Sequence, residues 1–111
     1  MTEEQILQAK GEWLKKQEMR DYLEAMQETR SIYPGEQIDL DWVTDLEMAN
    51  CVRHYARSGV RAECLRYFWD METDLKLQGV RFFERMKAMN RAISRAPSHM
   101  FRAGFDRTKA G

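Results

Sequence analysis

From Val60 to Ala96, apolar residues return at steps of three and four: Val60, Cys64, Phe68, Met71, Leu75, Phe82, Met86, Met89, Ile93 and Ala96. That spacing is the period of one face of an α-helix. The phase is kept across Gly79, with only Gln78 interrupting the series. A chain that carries such a stripe needs a second surface to cover it, so the rest of the protein is expected to pack here. An unbroken helix over this stretch would reach about 55 Å. Two in-phase helices joined at Gly79 satisfy the same pattern, so rod and hairpin both remain open. Either way the expected class is all-α. A small bundle of three or four helices would include the 60–96 helix or helix pair and end in a basic tail.

Length and composition narrow the class. The 111 residues fit one domain, read as a helical body over 1–96 and a tail over 97–111. Hydrophobic residues at 43% give enough apolar matter for a core and exclude a disordered chain. Two prolines and six glycines favour long helices over many short strands. No apolar run approaches the ~18 residues of a membrane span. The acidic start, Met1-Thr2-Glu3-Glu4, lacks the basic-then-apolar order of a secretory signal. Two cysteines are too few for a secreted disulfide framework, so a reducing cytoplasm is the expected location.

Along the chain, Thr2 with Gln5 three residues on has the form of a capping box, and Glu3 and Glu4 suit the positive end of a helix dipole. The helical pattern then runs to about Thr29, but its apolar side moves. Ile6, Leu7, Trp13 and Leu14 define one side, whereas Met19, Tyr22, Leu23 and Met26 lie nearly half a turn away. One surface cannot bury both sets. Either the helix bends near Gly11 to Gln17, or its first part docks on something else, such as another subunit. Pro34-Gly35 marks a loop that Ile38 and Leu40 would pin to the core. Asp39 or Asp41 is expected to cap a second helix running to about Arg57, with Ser58-Gly59 closing it. Pro97 ends the stripe, and the pattern of Ser98 to Gly111 predicts a tail held only by a partner.

The formal charge of zero hides a division. Residues 1–50 carry twelve acidic and five basic side chains, and residues 51–111 carry six and thirteen. Mutual neutralisation of two packed halves explains this, and so does a nucleic-acid surface on the basic half. Lys87, Arg91 and Arg95 recur at four-residue spacing opposite Met86, Met89 and Ile93. Arg102, Arg107 and Lys109 extend the charge into the tail, where Phe101 or Phe105 could stack on unpaired bases. No helix-turn-helix signature accompanies them.

Catalysis and metal binding find less support. Glu47, Cys51 and His54 share one helix side at i, i+4 and i+7, and Cys64 could approach from the next helix. These are zinc-competent groups, but they lack the paired close spacing of structural zinc sites, so no metal and no cofactor are expected. Cys51 or Cys64 with His54 or His99 could make a nucleophile–base pair, but no oxyanion hole or cleft marks one, and no Gly-rich phosphate loop or HExxH is present. The expected protein is not an enzyme.

Uncovered apolar surface is the strongest signal. Trp69, Leu77 and Val80 lie on the far side of the stripe, and Trp13 faces away from the second half of its own helix. Seven methionines beyond the initiator supply adaptable contacts. Exposed aromatic and Met-rich helix faces are how helical partners and dimers recognise one another. Trp13, Trp69, Leu77, Val80, Phe101 and Phe105 are therefore the expected partner-binding residues. The expected function is that of a non-enzymatic protein-binding adaptor, inhibitor or regulatory accessory protein that docks a protein partner through its helical apolar surface, with a homodimer as its expected form. The alternative is a nucleic-acid-binding regulator. The size and class match many accessory factors of bacteria and mobile elements, an analogy that carries no site-level information.

Overall fold

The computed structural model describes residues 1–105. Four α-helices follow one another: α1 over Glu3–Ile32, α2 over Leu46–Arg57, α3 over Leu65–Leu77 and α4 over Phe82–Arg95, with short 3-10 turns before α3 and after α4. Among these residues there is no strand, only a single antiparallel bridge between Val60 and Phe101. The expected all-α bundle is what the chain forms. No described helix is long and apolar enough to cross a membrane.

The start of α1 matches its sequence signature. Thr2 accepts from the Gln5 backbone N–H at 3.2 Å, and Gln5 Oε1 accepts from the Thr2 N–H at 3.0 Å, completing the capping box. The expected cap of α2 is corrected. Asp39 instead accepts from the Asp41 N–H at 3.1 Å in a tight turn, and a second turn closes from Val43 N–H to the Leu40 carbonyl at 3.0 Å. These turns bury Leu40 and Val43, and only then does Asp45 cap α2 by accepting from the Met48 N–H at 2.9 Å. Three aspartates could have capped the helix, and the burial of Leu40 and Val43 selects the last.

The 60–96 stripe is a hairpin and not a rod. Gly79 has φ +83°, open to glycine and strained for other residues. The Gly79 N–H reaches the Lys76 carbonyl at 3.0 Å and the Val80 N–H reaches the Leu75 carbonyl at 3.1 Å. That pair of bonds is a Schellman stop. Gly59, at φ +85°, ends α2 with the same pair, to Ala56 and from Val60 to Tyr55. A Cβ on Gly59 would also fall 2.2 Å from the ring of Phe105.

The second half of α1 packs on α2, α2 on α3, and α3 on α4. The core gathers Ala25, Met26, Tyr33, Val52, Tyr55, Val60, Leu65, Phe68, Met89, Ile93 and Phe101. Two tyrosines pin irregular backbone to it: the Tyr22 phenol donates to the Val43 carbonyl at 2.6 Å, and the Tyr33 phenol to the Val60 carbonyl. The charge asymmetry resolves in part across the helices. Arg57 forks onto Glu28 with two bonds of 2.8 Å, Arg53 lies 3.4 Å from the same carboxylate, and Glu47 meets Arg85 at 3.1 Å and Lys76 at 3.3 Å.

The chain after Pro97 corrects the expected tail. Arg61 donates to the Met100 carbonyl at 2.9 Å and Arg102 to the Gly59 carbonyl at 2.8 Å, backbone to backbone. Those bonds carry Phe101 into the core at 6% exposure. Phe101 follows no helical period because it packs through a bridge. Arg107 and Lys109 lie outside the described residues.

Candidate interaction site

The molecule is longer and barer than its mass requires. Its radius of gyration is 16.7 Å, against about 13 Å for a compact chain of this length. Its accessible surface is 8095 Å², against about 6,400 Å² for a compact 13.2 kDa protein. The excess is roughly 1,700 Å² on that scaling, and the projecting start of α1 contributes to it. Every residue from Met1 to Lys16 is exposed, because α1 runs past the beginning of α2 and leaves the bundle. Lys15, Glu18, Met19 and Tyr22 stand beside Thr44, Asp45 and Leu46, which marks where α1 departs. The fifteen residues before that point, 3–17, project for about 22 Å.

The projecting half is amphipathic without a partner. Ile6, Leu7, Trp13 and Leu14 are each half or more exposed, Trp13 at 61%. They occupy positions i−4, i−3, i+3 and i+4 around Lys10 and therefore surround it on the helix surface. The helix is uninterrupted to Ile32. Of the two explanations for its shifting apolar side, the structure takes the second: one helix, of which the first part packs on nothing else among the described residues. Met19 and Leu23, expected with Tyr22 and Met26, are exposed as well, since the core takes Tyr22, Ala25, Met26 and Thr29.

A second uncovered surface lies between α2 and α4, with α3 as its floor. It is a groove of about 560 Å³ lined by Leu46, Cys51, Phe82, Met86 and Met89, with Glu47, His54, Glu72 and Arg85 among its polar groups. Phe82 is 52% exposed and Met86 41%. The stripe predicted both in the core. The Gly79 turn instead rotates α4 so that Arg85, Met89 and Ile93 face inward and the other two line the groove wall.

The polar groups of this groove are organised. Arg85, in the first turn of α4, donates to the Val80 carbonyl at 2.7 Å and to Glu47 at 3.1 Å, and its guanidinium sits over the Phe82 ring at 5.6 Å. It thereby ties the hairpin to α2. Glu72 is 3% exposed and accepts the Tyr55 phenol at 2.7 Å. No lysine, arginine or histidine among the described residues forms an ion pair with Glu72. Burial, reinforced by Glu72, pushes the Tyr55 phenol and the Cys51 thiol well above their ordinary values. Burial and the neighbouring Glu63 push the Cys64 thiol up. His54 Nε2 contacts the Asn90 side-chain oxygen at 3.1 Å, which ties α2 to α4 along the groove. Among the described residues no three His, Cys, Asp or Glu side chains are grouped to hold a metal ion.

The residues expected at the surface scatter. Trp13 stands on the projecting helix, and Leu77, 81% exposed, at the hairpin tip. Trp69 is half-buried against the core, so it does not face away from the bundle. Val80 is half-buried at the turn, and Phe105 covers Gly59. Lys87, Arg91 and Arg95 do share the outer face of α4, and all three are exposed. Arg102 does not extend that face, because its guanidinium stacks between the rings of Tyr33, at 5.3 Å, and Phe105, at 5.6 Å. Lys10, Glu72 and Arg85 carry a sequence signal of their own, each being a charge set inside an apolar stripe. Phe83 and Tyr67, also exposed, have none.

Comparison of the chain with protein-family models, with curated proteins and with solved structures found no match.

Proposed function

We propose that this chain is a non-enzymatic protein-interaction protein, an adaptor, inhibitor or accessory regulator that docks through the projecting half of α1. The observation that carries this reading is the apolar face of Ile6, Leu7, Trp13 and Leu14, held out on a helix that no other described residue covers. Such faces bind as helix-in-groove elements whose anchors sit at three- and four-residue steps. Large aromatic anchors such as Trp13 usually carry a large share of the binding energy. The raised Cys51 thiol favours binding over nucleophilic catalysis.

The test is recovery of a stoichiometric protein partner by the tagged full chain after nuclease treatment. Leu7→Asp/Trp13→Asp should lose that partner while keeping the circular dichroism and melting of the parent. Retention of the partner by the double variant would sink the reading.

A second reading follows from α4. Arg91 and Arg95 form no ion pair among the described residues, and Lys87 meets only Glu84, at 3.8 Å. A nucleic-acid-binding regulator would use this face. It predicts an affinity that falls steeply with salt and is lost in Lys87→Gln/Arg91→Gln/Arg95→Gln. Absence of binding at low salt removes it.

A further inference from the structure

We propose that the groove between α2 and α4 receives the projecting half of α1 from a second copy of this chain, exchanged reciprocally, with Lys10 of each copy set against Glu72 of the other. The inference rests on the interaction reading above and supplies its partner. Charge complementarity is the first ground. Glu72 is a buried carboxyl group whose donors are the Tyr55 phenol and the Cys51 thiol, with no ion-pair partner among the described residues, so a cation entering the groove would find an acceptor there. Lys10 is a cation whose four helical neighbours are all large and apolar, so covering that face carries the ammonium inward with it. The groove supplies both requirements, with apolar walls from Leu46, Phe82, Met86 and Met89 and a carboxylate on the floor.

Geometry is the second ground. The helix continues unbroken through the point where it leaves the bundle, so it cannot fold back into its own groove. It departs beside Leu46, and Leu46, Glu47, Phe82 and Arg85 line the groove at that same end. Two copies meeting end to end can therefore pass their projections into each other's grooves about a two-fold axis, a contact that closes on itself. Surface area is the third. The chain exposes more surface than a compact protein of its mass, part of it on the projecting half, and a standard stable interface covers only ~800 Å² per partner.

The experiment is light scattering of the full chain across the micromolar range. The expected mass is twice 13.2 kDa. Trp13→Asp should give a monomer. Lys10→Glu and Glu72→Gln should each weaken the dimer about tenfold or more, and Lys10→Met with Glu72→Gln should recover most of the loss. Lys10 is exposed and remote from the core, so its variant keeps the fold, which circular dichroism verifies. A monomer at every concentration overturns the second-copy inference and leaves the interaction reading to its own test. A dimer lost in Trp13→Asp but indifferent to Lys10→Glu and Glu72→Gln overturns the groove, since α1 would then pair with α1. A dimer indifferent to all three overturns this inference and shows that self-association does not use the projecting half.

Discussion

Residues 3–17 and 22–32 belong to one uninterrupted helix, and both stretches carry large apolar side chains; the second is locked into a core while the first stands in water. Nothing in their backbone separates them. The first stretch is rich in Glu, Gln and Lys, which favour helix, and it has a complete capping box. The second has fewer such advantages and gains its order from Tyr22, Met26, Thr29 and Tyr33 against α2 and the loop after α1. Helix formation is thus a local property of the first stretch and a tertiary one of the second.

The contrast can be broken most directly by cutting one side chain from each half. Met26→Ala, a 3%-exposed site, should cost about 2–5 kcal/mol in urea unfolding. Trp13→Ala, measured at dilutions where no partner binds, should stay within about 0.5 kcal/mol of the parent. Equal losses would mean that the first half also belongs to the core.

Alkaline pH should act on the packed region next. Tyr33, Tyr55 and Cys51 all have folded-state pKa values raised by burial. In each case the unfolded chain gives up its proton first. The stability these groups contribute is whole below their unfolded values, about 8.5 for the thiol and about 10 for the phenols. It is lost as pH climbs from there toward the folded values. A melting temperature that stays flat from neutral pH to pH values above the phenol range would contradict that burial.

Glu28→Gln removes the carboxylate that Arg53 and Arg57 share, at a partly exposed site. A loss of about 1 kcal/mol, shrinking in high salt, is expected. The smallest effect should come from Thr2→Ala. A lost cap costs about 1 kcal/mol of helix stability, but here it falls on turns that the core does not hold. Helical signal should therefore drop slightly with no shift in the urea midpoint, and a shifted midpoint would tie the first turns to the cooperative unit.

Much of this architecture was legible in the residues. Thr2 with Gln5, Pro34-Gly35 and Ser58-Gly59 mark their boundaries by local chemistry that acts within a few positions, and the structure keeps all three. The start of α2 was not legible, because Asp39, Asp41 and Asp45 are equally able caps and the choice depends on burying Leu40 and Val43. The place of Phe101 was hidden for a related reason: a one-residue bridge to Val60 has no period to detect. In the candidate site, Trp13 with Ile6 and Leu7 was readable as an uncovered face, since its phase disagrees with the rest of its helix. The groove was not. Phe82 and Met86 keep the phase of the stripe, and only the turn at Gly79 rotates them out of the core.

The sequence alone determined the helices, most of their ends, and the presence of more apolar surface than one small bundle can hide, because caps, turns and periodicity act over a few residues. The tertiary structure alone decided the hairpin at Gly79, the burial of Glu72 against Tyr55 and the open groove above it. Those depend on how far one helix stands from another, a distance set by the sum of many contacts and written at no single position.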